Sequence, residues 1–183
     1  MKRAGHKACL LLGSNIEAEK NISRAFRLLR RIFPIEDISA VWETPPVGGE
    51  GPNFLNVVVL INTALDAGRL KEHVLRPLEI QMGRVRSWDK YAPRTIDIDI
   101  VAWDSGILDK NAWDYAYLAV PLSEVLPYQQ HPETGEYLEH VAQRLALSSP
   151  IKVRPDVLAG FRKQSKSKQK MPVPVWINSP TPV

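Results

Sequence analysis

The chain of 183 residues holds a single cysteine, so no disulfide can form within it. That residue, Cys9, lies in the apolar run Ala8-Cys9-Leu10-Leu11-Leu12, where a buried, unreactive strand position in a reducing compartment is expected. Long apolar stretches are also lacking. The basic start, Met1 to Leu12, has only a few apolar residues before Gly13-Ser14-Asn15 closes the run. This is too short for a signal peptide or a membrane span, and a cytoplasmic protein without membrane contact is expected. The four histidines, His6, His73, His131 and His140, have no metal-ligand spacing and are assigned to the surface. No Gly-x-x-x-x-Gly-Lys-Ser/Thr run is present, so a P-loop cannot cradle phosphates here. Excess positive charge is absent from most of the chain. The formal charge is +4, but Arg162, Lys163, Lys166, Lys168 and Lys170 follow Phe161 with no acid among them, and the remainder is slightly acidic. Residues 1–160 therefore read as one folded domain, and 161–183 as a basic, Pro-containing tail expected to be disordered. Nothing in this charge distribution favours nucleic acid, and a monomer is expected.

What is present is a regular alternation of elements. Lys7 to Leu12 suits a buried first strand. Ile22, Ala25, Phe26, Leu29 and Ile32 recur at helical spacing with Pro34 beyond them. Ile35 to Trp42 resumes a β pattern, and residues 43–53, rich in Pro and Gly, form a long loop. Phe54 to Thr63 is the strongest strand by β-propensity. Asp66 is a helix N-cap, and Leu70, Val74, Leu78 and Met82 continue that helix to Gly83, with a kink or division expected at Pro77. Thr95 to Trp103 alternates as a fourth strand. The βαββαβ order predicts an α+β, ferredoxin-like sandwich: an antiparallel sheet with helices on one face, plus C-terminal additions. Leu138, Val141, Ala142 and Leu145 allow one further helix.

The chemistry concentrates on that fourth strand. In Thr95-Ile96-Asp97-Ile98-Asp99-Ile100, alternation turns three isoleucines to one side and both carboxylates to the other, about 6.5–7 Å apart at Cα. Two like charges on one face repel, so something positive must compensate: either arginines at an exposed sheet face or hard cations between the acids. The cationic loop Gly83-Arg84-Val85-Arg86 through Tyr91-Ala92-Pro93-Arg94 feeds directly into the strand. Guanidinium forks match phosphate oxygens and paired carboxylates match Mg²⁺, which together describe a nucleotide polyphosphate site. A third feature is the stiff loop Glu43-Thr44-Pro45-Pro46-Val47-Gly48 leading to Phe54-Leu55-Asn56. Phe54 and Asn56 face one way. They could stack on a flat heterocycle and read its edge, or serve as a core residue and a turn cap.

These segments, with Leu12-Gly13-Ser14-Asn15, resemble the 6-hydroxymethyl-7,8-dihydropterin pyrophosphokinase family in order and spacing from about Ala8 to Trp103. The resemblance implies the family's fold, and transfer of pyrophosphate from Mg·ATP to a reduced pterin alcohol in folate synthesis. By matching position it implies that Asp97 and Asp99 hold two Mg²⁺ ions and that Arg84, Arg86 and Arg94 handle phosphates. Glu79, Tyr91 and Ile100 complete the ATP site, Tyr91 standing where the family commonly has Trp. Thr44, Pro45, Pro46, Val47, Gly48, Phe54 and Asn56 would bind the pterin. The implied reaction rests on Arg84, Arg94, Asp97 and Asp99.

The resemblance breaks after the acidic strand. The family's Pro-His segment has no counterpart, and Leu118 to Pro127 resembles the family's later Pro-Leu-x-Glu-x-x-Pro stretch, so several residues are missing between. Tyr117 falls near the family's second stacking aromatic. Two alternatives remain open at this point: a divergent relative acting on another pterin alcohol, and a ferredoxin-like RNA-binding module.

Overall fold

The two most apolar runs become neighbouring strands. In the computed structural model, which describes residues 5–48, 50–85 and 92–160, β1 (His6–Ser14) lies antiparallel to β4 (Phe54–Thr63), with Leu10 opposite Val59 and Gly13 opposite Asn56. The expectation for residues 161–183 lies outside the described residues. β5 (Asp97–Trp103) pairs with the other edge of β1, placing Ile98 opposite Leu12 and Asp97 opposite Gly13. β2 (Ile35–Ile38) and β3 (Trp42–Thr44) follow one another along the free edge of β4. Two short strands extend the sheet: β6 (Gly106–Ile107) beside β5, and β7 (Lys152–Val153) beside β3. The order is β6-β5-β1-β4-β3-β7, and every pairing is antiparallel.

The Ile35–Trp42 stretch, read as one strand, is interrupted. Ser39 Oγ accepts from Val58 N at 2.9 Å while Ser39 N donates to Val58 O, and Ala40 N turns away to Glu124 Oε2 at 2.8 Å. A side-chain oxygen here replaces a ladder carbonyl, and the edge restarts as β3.

One face of the sheet carries α1 (Ala18–Ile32), whose Ile22, Ala25, Phe26 and Leu29 are buried as their spacing predicts, whereas Ile32, at the end of the helix, is exposed. Beside it runs the expected second helix in three pieces: α2 (Ala67–Leu70), a π-helical turn (Lys71–Leu75) and α3 (Arg76–Gln81). Asp66 caps α2 by accepting from Arg69 N at 2.8 Å, a contact typically worth about 1 kcal/mol. Pro77 is the cause of the division. It lacks an N–H and crowds the carbonyl four residues back, and the wider turn before it, in which Arg76 N reaches Lys71 O, lets the rod continue. Gly83, at φ 82°, ends the helix and turns Arg84 back toward the sheet.

The expectation of helices on one face is corrected by the other side. α4 (Ala116–Ser123) and α5 (Leu138–Leu147) cover Cys9, Leu11, Val58, Val101 and Ala102, so this face is a second core. α5 was legible from its periodicity. α4 was not, because Leu118, Ala119, Val120, Pro121 and Leu122 are all buried and a helix apolar all round shows no stripe.

Candidate active site

The first half of β5 is a sheet edge, since β6 pairs only with Ala102 and Trp103. Asp97 and Asp99 project there on one side, opposite Gly13 and Leu11 of β1. The compensation required by two like charges is unevenly shared. Arg94 Nη1 lies 2.5 Å from Asp97 Oδ2, and Arg84 Nη1 pairs with Asp97 Oδ1 while also donating to Ile96 O at 2.9 Å. Among the described residues no ion pair within 4 Å is made by Asp99. Burial raises its pKa, the Asp97 carboxylate raises it further, and Lys71 and Arg84 offset this in part. Glu79, only 5% exposed, accepts from Ile98 N at 2.8 Å. Its pKa is also raised, first by burial.

Two cavities meet at this acid pair. The larger, about 450 Å³, is lined by Leu11, Gly13, Thr44, Pro45, Pro46, Val47, Phe54 and Asn56 on one side. Arg94, Asp97, Asp99, Asp109, Asn111, Tyr115 and Tyr117 close the other. The smaller, about 170 Å³, lies between Lys71, Leu75, Arg76, Glu79 and Arg84 and the strand residues Asp97, Ile98 and Asp99. Gly13 keeps the larger one open, because a Cβ there would come within 3.2 Å of Asn56 Oδ1. Asn56 is 3% exposed and donates to Thr44 Oγ1 at 2.9 Å. Thr44 and Phe54 face each other across β3 and β4, so loop 45–53 is a hairpin connection sprung from the cavity wall.

The donor set fits Mg²⁺. Among the described residues no three metal-ligating side chains converge, so a cation at Asp97 and Asp99 would take its remaining oxygens from substrate and water. That sharing is how Mg²⁺ is ordinarily held beside phosphates.

Most of the residues expected from sequence converge. Thr44, Pro45, Pro46, Val47, Phe54, Asn56, Tyr117, Arg94, Asp97 and Asp99 share the larger cavity, and Glu79 and Arg84 join the acids in the smaller. Gly48, at φ 72°, is exposed on the loop and lines neither cavity. Ile100 also lines neither and packs on the helix-covered core instead, while its neighbour Ile98 faces the smaller cavity. Arg86 and Tyr91 lie outside the described residues. The lining residues missed are Leu11, Gly13, Lys71, Leu75, Arg76, Ile98, Asp109, Asn111 and Tyr115. Leu11 was reachable, two positions before Gly13 on one strand face. Asp109 and Asn111 belong to an irregular segment and a 3₁₀ turn (Lys110–Trp113) that carries no periodic signal. The histidines stay outside: His6 pairs with Asp104 at 2.9 Å and His131 meets the Trp113 ring edge-on. Cys9 is buried, its thiol pushed up to about 12 by desolvation.

The family model described as 7,8-dihydro-6-hydroxymethylpterin-pyrophosphokinase matches residues 9–127. The 2-amino-4-hydroxy-6-hydroxymethyldihydropteridine pyrophosphokinase of Helicobacter pylori is 34% identical over 111 residues, covering 58% of this chain and 68% of that protein. The enzyme of the same name from Pseudomonas aeruginosa is 28% identical, covering 69% of this chain and 84% of its own length. A folic acid synthesis protein of Dictyostelium discoideum is 28% identical over 77% of this chain, which spans only 22% of that relative's length. Among solved structures, the Plasmodium falciparum HPPK-DHPS protein superposes with a TM-score of 0.61 at 12% identity. That match covers 76% of this chain and 41% of the other, and likeness at this identity speaks for the fold.

Proposed function

The chain belongs to the 7,8-dihydro-6-hydroxymethylpterin-pyrophosphokinase family, a family of ATP-dependent diphosphotransferases in folate biosynthesis, and on that premise we propose that it moves pyrophosphate from Mg·ATP to the hydroxymethyl oxygen of 6-hydroxymethyl-7,8-dihydropterin. The observation that carries this reading is that Asp97 and Asp99 line both cavities at once. The smaller and more charged cavity takes the nucleotide, and the larger takes the pterin. Their contents meet across one strand face.

In the proposed reaction the alcohol oxygen bonds to the β-phosphorus and the bond from that phosphorus to the α–β bridging oxygen breaks. AMP leaves and the alcohol proton passes to solvent. Catalysis of this kind rests on alignment and charge neutralisation rather than on a protein nucleophile. Two Mg²⁺ ions held by Asp97 and Asp99 would neutralise the polyphosphate and draw both reactants into line. Arg84 and Arg94 now spend their charge on Asp97. With cations at the carboxylates, the same guanidinium groups would be released to phosphate oxygens, a role that family position also gives Arg86. Glu79 flanks the nucleotide, a role that family position also gives Tyr91. Thr44, Pro45, Pro46 and Val47 shape the pterin pocket, Phe54 and Tyr117 stack on the ring, and Asn56 reads its edge. The sheet reads as ferredoxin-like once β2 and β3 are taken together as one broken strand beside β4. A cytoplasmic monomer that binds no nucleic acid completes this reading.

The test is to incubate the protein with Mg·ATP and the pterin alcohol and to quantify AMP, ADP and pterin products. AMP formed one-for-one with pterin diphosphate is expected. ADP, or AMP formed without pterin, would contradict the proposal. A second reading, a different pterin alcohol, draws on Asp109, Asn111 and Tyr115, polar groups lining the larger cavity in the stretch where the family's Pro-His segment has no counterpart. A panel of pterin alcohols with longer hydroxylated side chains separates the two by kcat/KM.

A further inference from the structure

Outside the two cavities, a knot of charge forms at Arg154, just after β7. Its Nη1 donates to Glu43 Oε2 at 3.0 Å, its Nε and Nη2 fork onto Asp156 at 3.1 and 2.9 Å, and Nη2 also reaches Glu19. Three carboxylates from α1, β3 and the C-terminal segment thus share one guanidinium. Glu43 spends its other oxygen on Asn53 Nδ2, at 2.9 Å. Glu43 and Asn53 bracket the stretch from Thr44 to Pro52, so one carboxylate closes that loop at its base. The backbone reinforces the arrangement. Arg154 N donates to Val41 O at 2.8 Å, and β7 sets Val153 opposite Trp42 and Lys152 opposite Glu43.

The same base is tied, on its C-terminal side, toward the reacting groups. Asn15 Nδ2 donates to Pro52 O at 3.4 Å, and Asn15 Oδ1 accepts from Arg94 N at 2.7 Å. The Arg94 guanidinium in turn holds Asp97. A chain of contacts therefore runs from Arg154 through Glu43, Asn53 and Pro52 to Asn15 and Arg94.

We propose that Arg154 is a positioning residue: its fork on Glu43 sets the direction in which the Thr44–Val47 wall and Phe54 face the substrate. The role rests on the reading of that wall as the pterin site. A lone surface ion pair adds little to stability, but a planar fork shared by three carboxylates fixes orientation. Without Arg154, Glu19, Glu43 and Asp156 repel one another, and the base of the loop opens. Asn53 and Arg154 hold the Glu43 carboxyl below its ordinary value, in keeping with the two contacts its oxygens make. Arg154 touches no cavity that includes the acid pair, so it acts only through the loop.

The experiment compares wild type, Arg154→Met, Asn53→Ala and Arg154→Lys in two ways. Steady-state kinetics with Mg·ATP and the pterin alcohol give both KM values and kcat. Hydrogen exchange of a peptide covering residues 47–55 is followed in the ligand-free protein. In Arg154→Met and Asn53→Ala, the pterin KM is expected to rise about tenfold, with the ATP KM and unfolding midpoint little changed and loop exchange faster. Arg154→Lys should fall between. Unchanged pterin KM with unchanged exchange overturns the proposal, as does a joint fall in kcat, ATP affinity and unfolding midpoint. A wild type that forms no pterin diphosphate overturns the functional reading instead, and the exchange arm alone then decides whether Arg154 restrains the loop.

Discussion

The smaller and the larger cavity share Asp97 and Asp99 but are built by different means. Around the smaller stand Lys71, Arg76, Glu79 and Arg84, charged groups on a helical rod and on the turn that ends it, with Arg76 already paired to Glu72 and Arg84 to Glu79 and Asp97. Around the larger stand Phe54, Asn56, Tyr115 and Tyr117, with neutral hydrogen bonds and rings, and a Pro-rich loop as one wall. In the proposed reaction the first changes partners as polyphosphate and cations arrive. The second is pre-shaped, and its walls are held from outside. Loss of a charge in the first should therefore cost turnover, whereas loss of a contact in the second should cost pterin affinity.

The largest effect should come from the shared acids. Asp97→Ala or Asp99→Ala is expected to lower kcat by roughly a hundred- to a thousandfold, measured as pterin-dependent AMP formation. A smaller loss would mean that the acids serve only to pair arginines. Next is the aromatic wall. Phe54→Ala should raise the pterin KM by about ten- to a hundredfold, from lost stacking and buried area, with ATP affinity intact. If both substrates weakened together, the two-cavity division would fail.

Asp99 supplies a prediction with the opposite sign for stability. Its pKa is raised in the folded protein, so its favourable contribution is complete below the unfolded value near 3.8 and is lost as pH rises through the folded value. At neutral pH the ionised carboxyl is therefore held at a cost unless a cation joins it. Asp99→Asn should raise the unfolding midpoint in the absence of Mg²⁺ by about 2–4 °C for each kcal/mol relieved, while abolishing transfer. The gain should shrink as pH falls toward 4, and Mg²⁺ affinity of the wild type should weaken over the same range. The smallest effect concerns Tyr117, whose phenol is pushed up to about 12 by burial and by the nearby Asp109 and Asp99 carboxylates, with an Asn111 hydrogen bond in partial opposition. Asn111→Ala should change the pterin KM only a few-fold, in line with a single hydrogen bond of about 1 kcal/mol.

How much of this was readable in advance follows the same division. The alternation in Ile96-Asp97-Ile98-Asp99 fixes both acids on one side without any tertiary information, and the strand edge bears it out. The α1 face and the Asp66 cap were equally local signals. Tyr117 was reached only through the family resemblance, because α4 is buried on every side and has no polar stripe to read. Asp109 and Asn111 were missed because they sit beyond β6 in irregular backbone, where only the tertiary path decides which side chain meets the cavity. The break at Ser39 depends on Glu124, more than eighty residues away, which accepts from Ala40 N and from Trp42 Nε1 at 2.7 Å. No reading of the Ile35–Trp42 segment alone contains that carboxylate.

The central claim is that one acid pair serves both substrates, and equilibrium binding tests it directly. The pterin alcohol would be titrated into wild type and Asp97→Ala, each with and without Mg²⁺ and α,β-methylene-ATP, whose α–β bridge cannot break. Each ligand is expected to tighten the other in wild type, and that coupling to vanish in Asp97→Ala while the pterin still binds alone. Independent binding in wild type, or coupling that survives the substitution, would contradict it.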